Sequence, residues 1–510
     1  MKLKQRCLRG FIFTLLLIFY KPNPAICQNP GKLPAIYKVT LDQAHKGTLE
    51  TDTLLLCSYG GVAKNVEQFY LDARSFFDGN EAADFKDTEI LSSARKHKIF
   101  LLGGPMLGNL REDGVSIWIR PASANSIRVK IKSSEGKKIK SFRVDSLLPG
   151  KKHNIHVDGL SSGTDYTYVL SHRLRKIWKG NFKTAPATGE KSLFTLTFGS
   201  CFHKIGLHNP NLIKQMLKRD PHAILLLGDI AVDDRENKIH MHRSDYLLRD
   251  FSNPWKELSG SVPVYSAWDD HDYLNNDLGG IPVGFCPADR EALLDLWDEN
   301  WNNPEYTGDG IFFNTRIGPV ELIMLDTRSC RDVEKRGQYG SFLGPEQMSW
   351  LKEVLLKSTA PFRIISSGTM WSDYISNGKD SWGTWDTLAR KEIFSLLEKE
   401  ELHETILISG DRHGARAFEI PVVPGSGLYE FQVASLGGAP GPEDIAKDSS
   451  HQLFGYPGSD FFAFGEFSFD TSFDPPRVVF RLIDESGSVL EKLLLFVPGS
   501  VPGNRDIRTD

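Results

Sequence analysis

A chain of 510 residues exceeds the roughly 250–300 residues at which a single hydrophobic core stops growing, so more than one globular part is expected. Apolar and charged fractions of 40% and 25% exclude a fibrous repeat and a largely disordered chain. The formal charge of −4 becomes −9 once positions 1–27, with five cationic and no acidic residues, are removed, which argues against a broad nucleic-acid-binding face.

At the N-terminus, Lys2, Lys4, Arg6 and Arg9 precede the apolar run Phe11 to Tyr20 and the stretch Pro24-Ala-Ile-Cys27. This pattern reads as a secretory signal peptide over residues 1–27. The run is about half the ~20 residues that span a bilayer, so no transmembrane anchor is expected. The expected localisation is secreted or periplasmic. Cleavage would leave Cys57, Cys201, Cys286 and Cys330 in a compartment that permits disulfides, and a Cys286–Cys330 bridge is compatible with that setting.

Residues 28–100 mix helix-like stretches, such as Asn65 to Phe77, with irregular ones and carry no recognisable chemical motif. Over 101–186 the texture changes to short alternating runs, among them Val115 to Arg120, Ile127 to Lys132 and Asp165 to Val169. Period-two alternation at this spacing predicts a small β-sandwich of the fibronectin type III kind. Pro186 and Gly189 mark a linker.

Over 191–495, apolar runs end abruptly in polar residues. Leu193 to Phe198 leads into Gly199-Ser-Cys201, Ala223 to Leu227 into Gly228-Asp229, and Val262 to Ala267 into Trp268-Asp-Asp-His271. Glu321 to Leu325 leads into Asp326-Thr-Arg328, Phe362 to Ile365 into Ser366-Ser-Gly368, and Thr405 to Ile408 into Ser409-Gly-Asp411. Helical candidates at Asn211–Lys218, Glu346–Leu356 and Leu388–Glu398 lie between these runs, Pro345 preceding the second as a first-turn residue should. Strands alternating with helices, with polar tips on one edge, predict an α/β enzyme.

Cys201, His203, Asp229, Asp270, His271, Asp411 and His413 together supply thiolate, carboxylate and imidazole, the usual protein ligands of transition metals and calcium. One Gly-Asp after a strand is usually a turn. Four such clusters, each directly after an apolar run, are a metal site. An acidic protein that handled phosphate would need such ions to neutralise its substrate.

The order and text of these clusters resemble the alkaline phosphatase D (PhoD) family of the calcineurin-like metallophosphoesterases, over roughly 101–495. Gly103-Gly-Pro-Met-Leu-Gly108, Trp118-Ile-Arg120, Trp268-Asp-Asp-His271, Leu343-Gly-Pro-Glu-Gln347 and Gly410-Asp-Arg-His413 carry the likeness. It implies two packed sheets flanked by helices, preceded by the small sandwich. It implies two or more metal ions, Fe and Ca in the family, with Asp229 bridging. Cys201 and His413 would ligate one ion, and Asp270 and Asp411 the next. Asn275 or Asn276 would complete the ligand set or bind a further Ca²⁺. His271 is placed to protonate the leaving alkoxide, and Arg328 or Arg412 to hold phosphate oxygens, a salt bridge being the alternative for Arg328. Cys201 could instead be a buried filler, and His203 either a ligand or a substrate contact. Where many relatives have a metal-binding tyrosine three residues after the bridging Asp, this chain has Val232, which opens the site to Zn or another divalent metal.

The resulting expectation is a secreted phosphoesterase acting on phosphate monoesters or diesters by metal-activated water. Its partner would be a phosphate-ester small molecule or a phospholipid, with no stable nucleic-acid partner. The alternatives are a phospholipase- or nuclease-like phosphodiesterase, and an inactive secreted binding protein. Trp371, Tyr374, Trp382 and Trp385 either stack on an organic leaving group or pack a lid.

Overall fold

The computed structural model describes residues 39–58, 61–123, 125–232, 235–421 and 428–496. The signal peptide expected at residues 1–27 lies outside the described residues. Among those described, no helix is long and apolar enough to cross a membrane.

Four helices come first, Leu41–Lys46, Leu49–Cys57, Lys64–Gly79 and Thr88–Lys96. Thr40 starts the first with a reciprocal capping box to Gln43, which satisfies backbone donors that the first turn leaves open. Helix Lys64–Gly79 buries Phe69, Tyr70, Ala73 and Phe77 on one side, at the helical spacing that makes a single apolar stripe. That stripe shares a core with Met241, Leu247, Leu248 and Phe251, so these helices are packed onto the later part of the chain.

Seven antiparallel strands follow in two sheets. One joins Leu101–Arg111, Gly114–Pro121 and His153–Val157, and the other is ordered Lys138–Asp145, Ser126–Ser133, Asp165–His172, Arg175–Lys183. In Ser126–Ser133 the alternation buries Ile127, Val129 and Ile131 while Arg128 and Lys130 face water, as a half-covered strand requires.

The remaining strands form two larger mixed sheets. The six-stranded one runs Val264–Ala267, Ala223–Leu227, Leu193–Gly199, Ala463–Asp470, Arg477–Asp484, Val489–Leu495, and its first three strands are parallel. In the seven-stranded sheet, Val320–Met324, Phe362–Ser367, Thr405–Ser409 and Leu428–Ala434 are parallel neighbours. The sheets meet through aromatic rings, Phe431 lying 4.2 Å from Phe480 and 5.2 Å from Phe467 between ring centroids. Helices Pro210–Lys218, Gly344–Lys357 and Thr387–Lys399 match the three expected ones to within two residues at either end. Parallel strands share a direction, so their polar C-terminal tips collect at one edge.

Cys286 and Cys330 are free thiols, so the bridge that the sequence allowed between them is not made.

Candidate metal centre

Three groups of donor atoms lie at that edge: Cys201, His203, Asp229 and His413; Asp229, Asp270 and His271; and Asp269, Asp270 and Asp411. Within each group the atoms lie within 4.8 Å of one another. Asp229 belongs to the first two and Asp270 to the last two, so the groups form one continuous cluster. The tips reach this geometry by tight backbone turns. Cys201, His203, Asp229 and Asp411 all have positive φ, between 47° and 65°, a region sparsely used by non-glycine residues and found where a site imposes it. Gly228 before Asp229 has φ 101°, and a Cβ there would sit 2.5 Å from the Asp269 amide nitrogen. Only glycine lets these two tips approach so closely.

The Cys201 thiol is 3.4 Å from Asp229 Oδ2, and Asp229 Oδ1 accepts from the His271 amide at 3.3 Å. His203 Nε2 and His413 Nε2 are 3.2 Å apart, and His413 Nδ1 lies 2.6 Å from the Pro440 carbonyl. That carbonyl fixes Nδ1 as the protonated nitrogen and leaves Nε2 as a ligand. Burial and the nearby His203 push His413 down to about 3, so its ring is neutral over the ordinary pH range. Asp270 is held below the usual carboxylate range although burial opposes it, because Arg328 and His271 stand beside it. Asp229 and Asp411 are pushed well above that range, first by loss of water and then by the Asp270 charge.

This donor set fits metal ions. Burial, with the Asp270 charge added to it, drives Asp229, Asp269 and Asp411 towards neutrality, and a divalent cation would restore their charged forms. Sulfur and imidazole on one side suit a transition metal, and the all-carboxylate group on the other suits a harder ion.

Two expected contacts take a different form. Arg328 is fully buried, with Nε 2.5 Å from Asp269 Oδ1 and Nη2 2.7 Å from Asp380 Oδ2. Its guanidinium is ion-paired with these two carboxylates, as the salt-bridge alternative has it. Trp371 and Trp382 stack on each other at 4.5 Å and are fully buried, while Tyr374 packs on Phe418. These rings fill the second sheet's outer layer rather than a substrate pocket. Arg412 differs from Arg328 in being half-buried; its Nε is enclosed with no hydrogen-bond partner among the described residues. Asn275 Oδ1 accepts from the Asn276 amide at 2.7 Å, and Asn276 is exposed. Val232 is fully buried in an apolar cluster with Phe202, Ile230 and Tyr273.

Sequence reasoning passed over Asp269, Asp380 and His45. Asp269 stood in plain view beside Asp270, and only its side-chain direction sets it in the third group. Asp380 and His45 belong to no motif. His45, from the first helix, stacks on His271 with ring centroids 4.3 Å apart. Asp272, by contrast, caps backbone amides of Ile230 and Ala231. A cavity lined by Asn109, Arg111, His156 and Glu305 includes none of the donors.

Comparison with known proteins bears on the family and the fold. The PhoD-like phosphatase family model matches residues 210–455. No curated protein sequence matches the chain. Among solved structures, that of PhoD is 18% identical, with a TM-score of 0.62, and the match covers 78% of this chain and 93% of PhoD. The purple acid phosphatase PPD1 from yellow lupin (Lupinus luteus) seeds is 17% identical with a TM-score of 0.58, over 76% of this chain and 73% of that one. At such identity these two establish the fold.

Proposed function

We propose that this chain, whose residues 210–455 match the PhoD-like phosphatase family model, is a metal-dependent phosphoesterase that hydrolyses phosphate monoesters, diesters or both, outside the cell or in the periplasm, without a covalent enzyme intermediate. The observation that carries this reading is the continuous donor cluster from Cys201 to Asp411, centred on Asp229. Cys201, His203, Asp229 and His413 would hold one ion, and Asp269, Asp270 and Asp411 its neighbour. Such ions supply Lewis acidity, withdrawing charge from the phosphoryl oxygens and acidifying the attacking water.

The chain's own residues supply the rest. His271 is mostly buried, and its amide is tied to Asp229. Its ring is the group that gives a proton to the leaving alkoxide. Arg412, with its unsatisfied Nε, offers planar donors to non-bridging oxygens. Val232 offers no lone pair, which favours a divalent ion such as Zn²⁺ or Fe²⁺ over a tyrosinate-bound ferric one. The purified enzyme is therefore expected to be colourless, and an intense visible band unchanged in Val232→Tyr would show that another tyrosine serves the metal.

Release of nitrophenol from mono- and bis-nitrophenyl phosphate tests the activity. Turnover of the first supports a monoesterase and turnover of the second alone a diesterase. No turnover with any added divalent metal would sink both and leave a binding protein. Export is tested by the N-terminus of the mature protein, expected to follow residue 27.

A further inference from the structure

The N-terminal helices, for which the sequence suggested no role, reach the catalytic edge through the His45 side chain. His45 lies on helix Leu41–Lys46. Its ring stacks on His271 at 4.3 Å and 27°, and meets the edge of His203 at 5.5 Å. His203 and His271 are themselves 5.6 Å apart. Three imidazoles from three separate elements thus touch in one group, and two of them, His45 and His203, lie outside the region matched by the phosphatase family model, His45 on the N-terminal helices.

The helix that carries His45 is held by more than apolar packing. Gly47 ends it at φ 53°, and its carbonyl accepts from Arg74 Nη2 at 2.9 Å and from Arg235 Nη1. A Cβ at Gly47 would overlap Arg235, 2.3 Å from Nη1. Asp52, on the following helix, accepts from Tyr70 at 3.1 Å, Arg74 at 2.7 Å and Arg235 at 2.9 Å. Arg235 also binds Asp245, which lies 3.3 Å from Lys204, the neighbour of His203 in the chain. Asp52, Arg235, Asp245 and Lys204 are all nearly or fully buried. Buried charge networks are a poor source of net stability, because desolvation offsets their attraction. Their effect is geometric, since only one arrangement satisfies every member. Here they fix where helix Leu41–Lys46 sits relative to the short helices His203–Gly206 and Asp270–Tyr273 that bear the other two rings.

We propose that His45 is a positioning residue for His271: its ring face holds the His271 imidazole in the orientation from which it meets the leaving-group oxygen, so residues 39–98 are part of the catalytic unit. The inference rests on the reading of His271 as proton donor. A flat ring stacked on another restricts rotation about its side-chain bonds, and a proton donor displaced by even 1 Å loses much of its effect.

The test compares wild type, His271→Ala, His45→Ala and His45→Phe on phosphate esters with aryl and alkyl leaving groups, with metal content and thermal midpoint measured for each. A general acid contributes most where the leaving group is poor, typically ~10²–10⁴-fold. His45→Ala should keep its metals and midpoint and lose about tenfold or more on alkyl esters, with little loss on nitrophenyl esters. His45→Phe, which keeps a ring face, should recover most of that loss. If His45→Ala does not fold, His45→Leu fills the space without a flat face and is read in the same way. Wild-type behaviour of His45→Ala, or equal losses in the Ala and Phe variants across all leaving groups, would overturn the positioning role while leaving the phosphoesterase reading intact. If His271→Ala itself shows no leaving-group dependence, the acid assignment falls and the inference falls with it.

Discussion

Asp229 accepts from the Cys201 thiol through one oxygen and from the His271 amide through the other, so it ties the sulfur-imidazole group to the carboxylate group. Asp229→Ala and Asp411→Ala should each lose bound metal, and turnover should fall on the order of 10²-fold or more. Wild-type activity in either would remove the assignment of the centre. The two arginines make a sharper contrast. Arg328 is fully buried between Asp269 and Asp380, and removing one partner of a buried pair costs about 3–5 kcal/mol because the remaining charges lose their counterion. Arg328→Ala should therefore shift the denaturant midpoint strongly. Arg412→Ala, at a half-buried position with an unsatisfied Nε, should leave the midpoint nearly unchanged and raise KM. The reverse pattern would exchange their roles.

At the scale of elements, the site depends on strand tips that turn within one or two residues. Gly228 makes the closest of these turns, since a Cβ there would meet Asp269 Cβ at 2.3 Å. Gly228→Ala combines that overlap with a positive φ, which costs roughly 1–3 kcal/mol for a strained backbone alone. It should lower both stability and metal affinity, whereas Gly136→Ala, also at positive φ but with open space around it, should affect stability only. Equal metal affinity in the two variants would count against the close approach of the Gly228 and Asp269 tips as a device for building the centre.

Across the whole molecule, buried acids of opposite behaviour set the response to pH. Asp229 and Asp411 are raised well above 3.8, and Asp269 is pushed up to about 7 by burial against the opposing pull of Arg328. A raised folded-state value means stability that is present below about pH 4 and lost as pH rises through the folded value. Asp52 is lowered, because Arg235, Lys204 and Arg74 together outweigh its burial. Its contribution has the opposite sign, being present above about pH 4 and lost as pH falls below it. Chelator-treated protein should therefore show a thermal midpoint that declines from about pH 4 to pH 7, and metal reloading should remove most of that decline. A flat profile for the metal-free protein would mean that the carboxylates are not crowded as described. Asp52→Ala should destabilise the protein at neutral pH, by about 3–5 kcal/mol if the network breaks as a unit.

The strands and their polar tips were legible because a buried parallel strand needs an uninterrupted apolar run, and a tip is where that run stops. Cys201, Asp229, Asp270, His271, Asp411 and His413 could be singled out for this local reason. Their gathering into one cluster follows from parallel pairing, which local pattern also implies. What the sequence left open depends on side-chain direction and on contacts between distant segments. The choice between phosphate and salt bridge for Arg328 was decided by Asp380, about fifty residues away and in no motif. The tryptophans at 371 and 382 were decided by each other. The place of His45 was decided by Gly47, Asp52 and Arg235, whose burial gives a short helix a single allowed position. Local periodicity records which residues avoid water. Only the packed chain records which charges meet once water has been excluded.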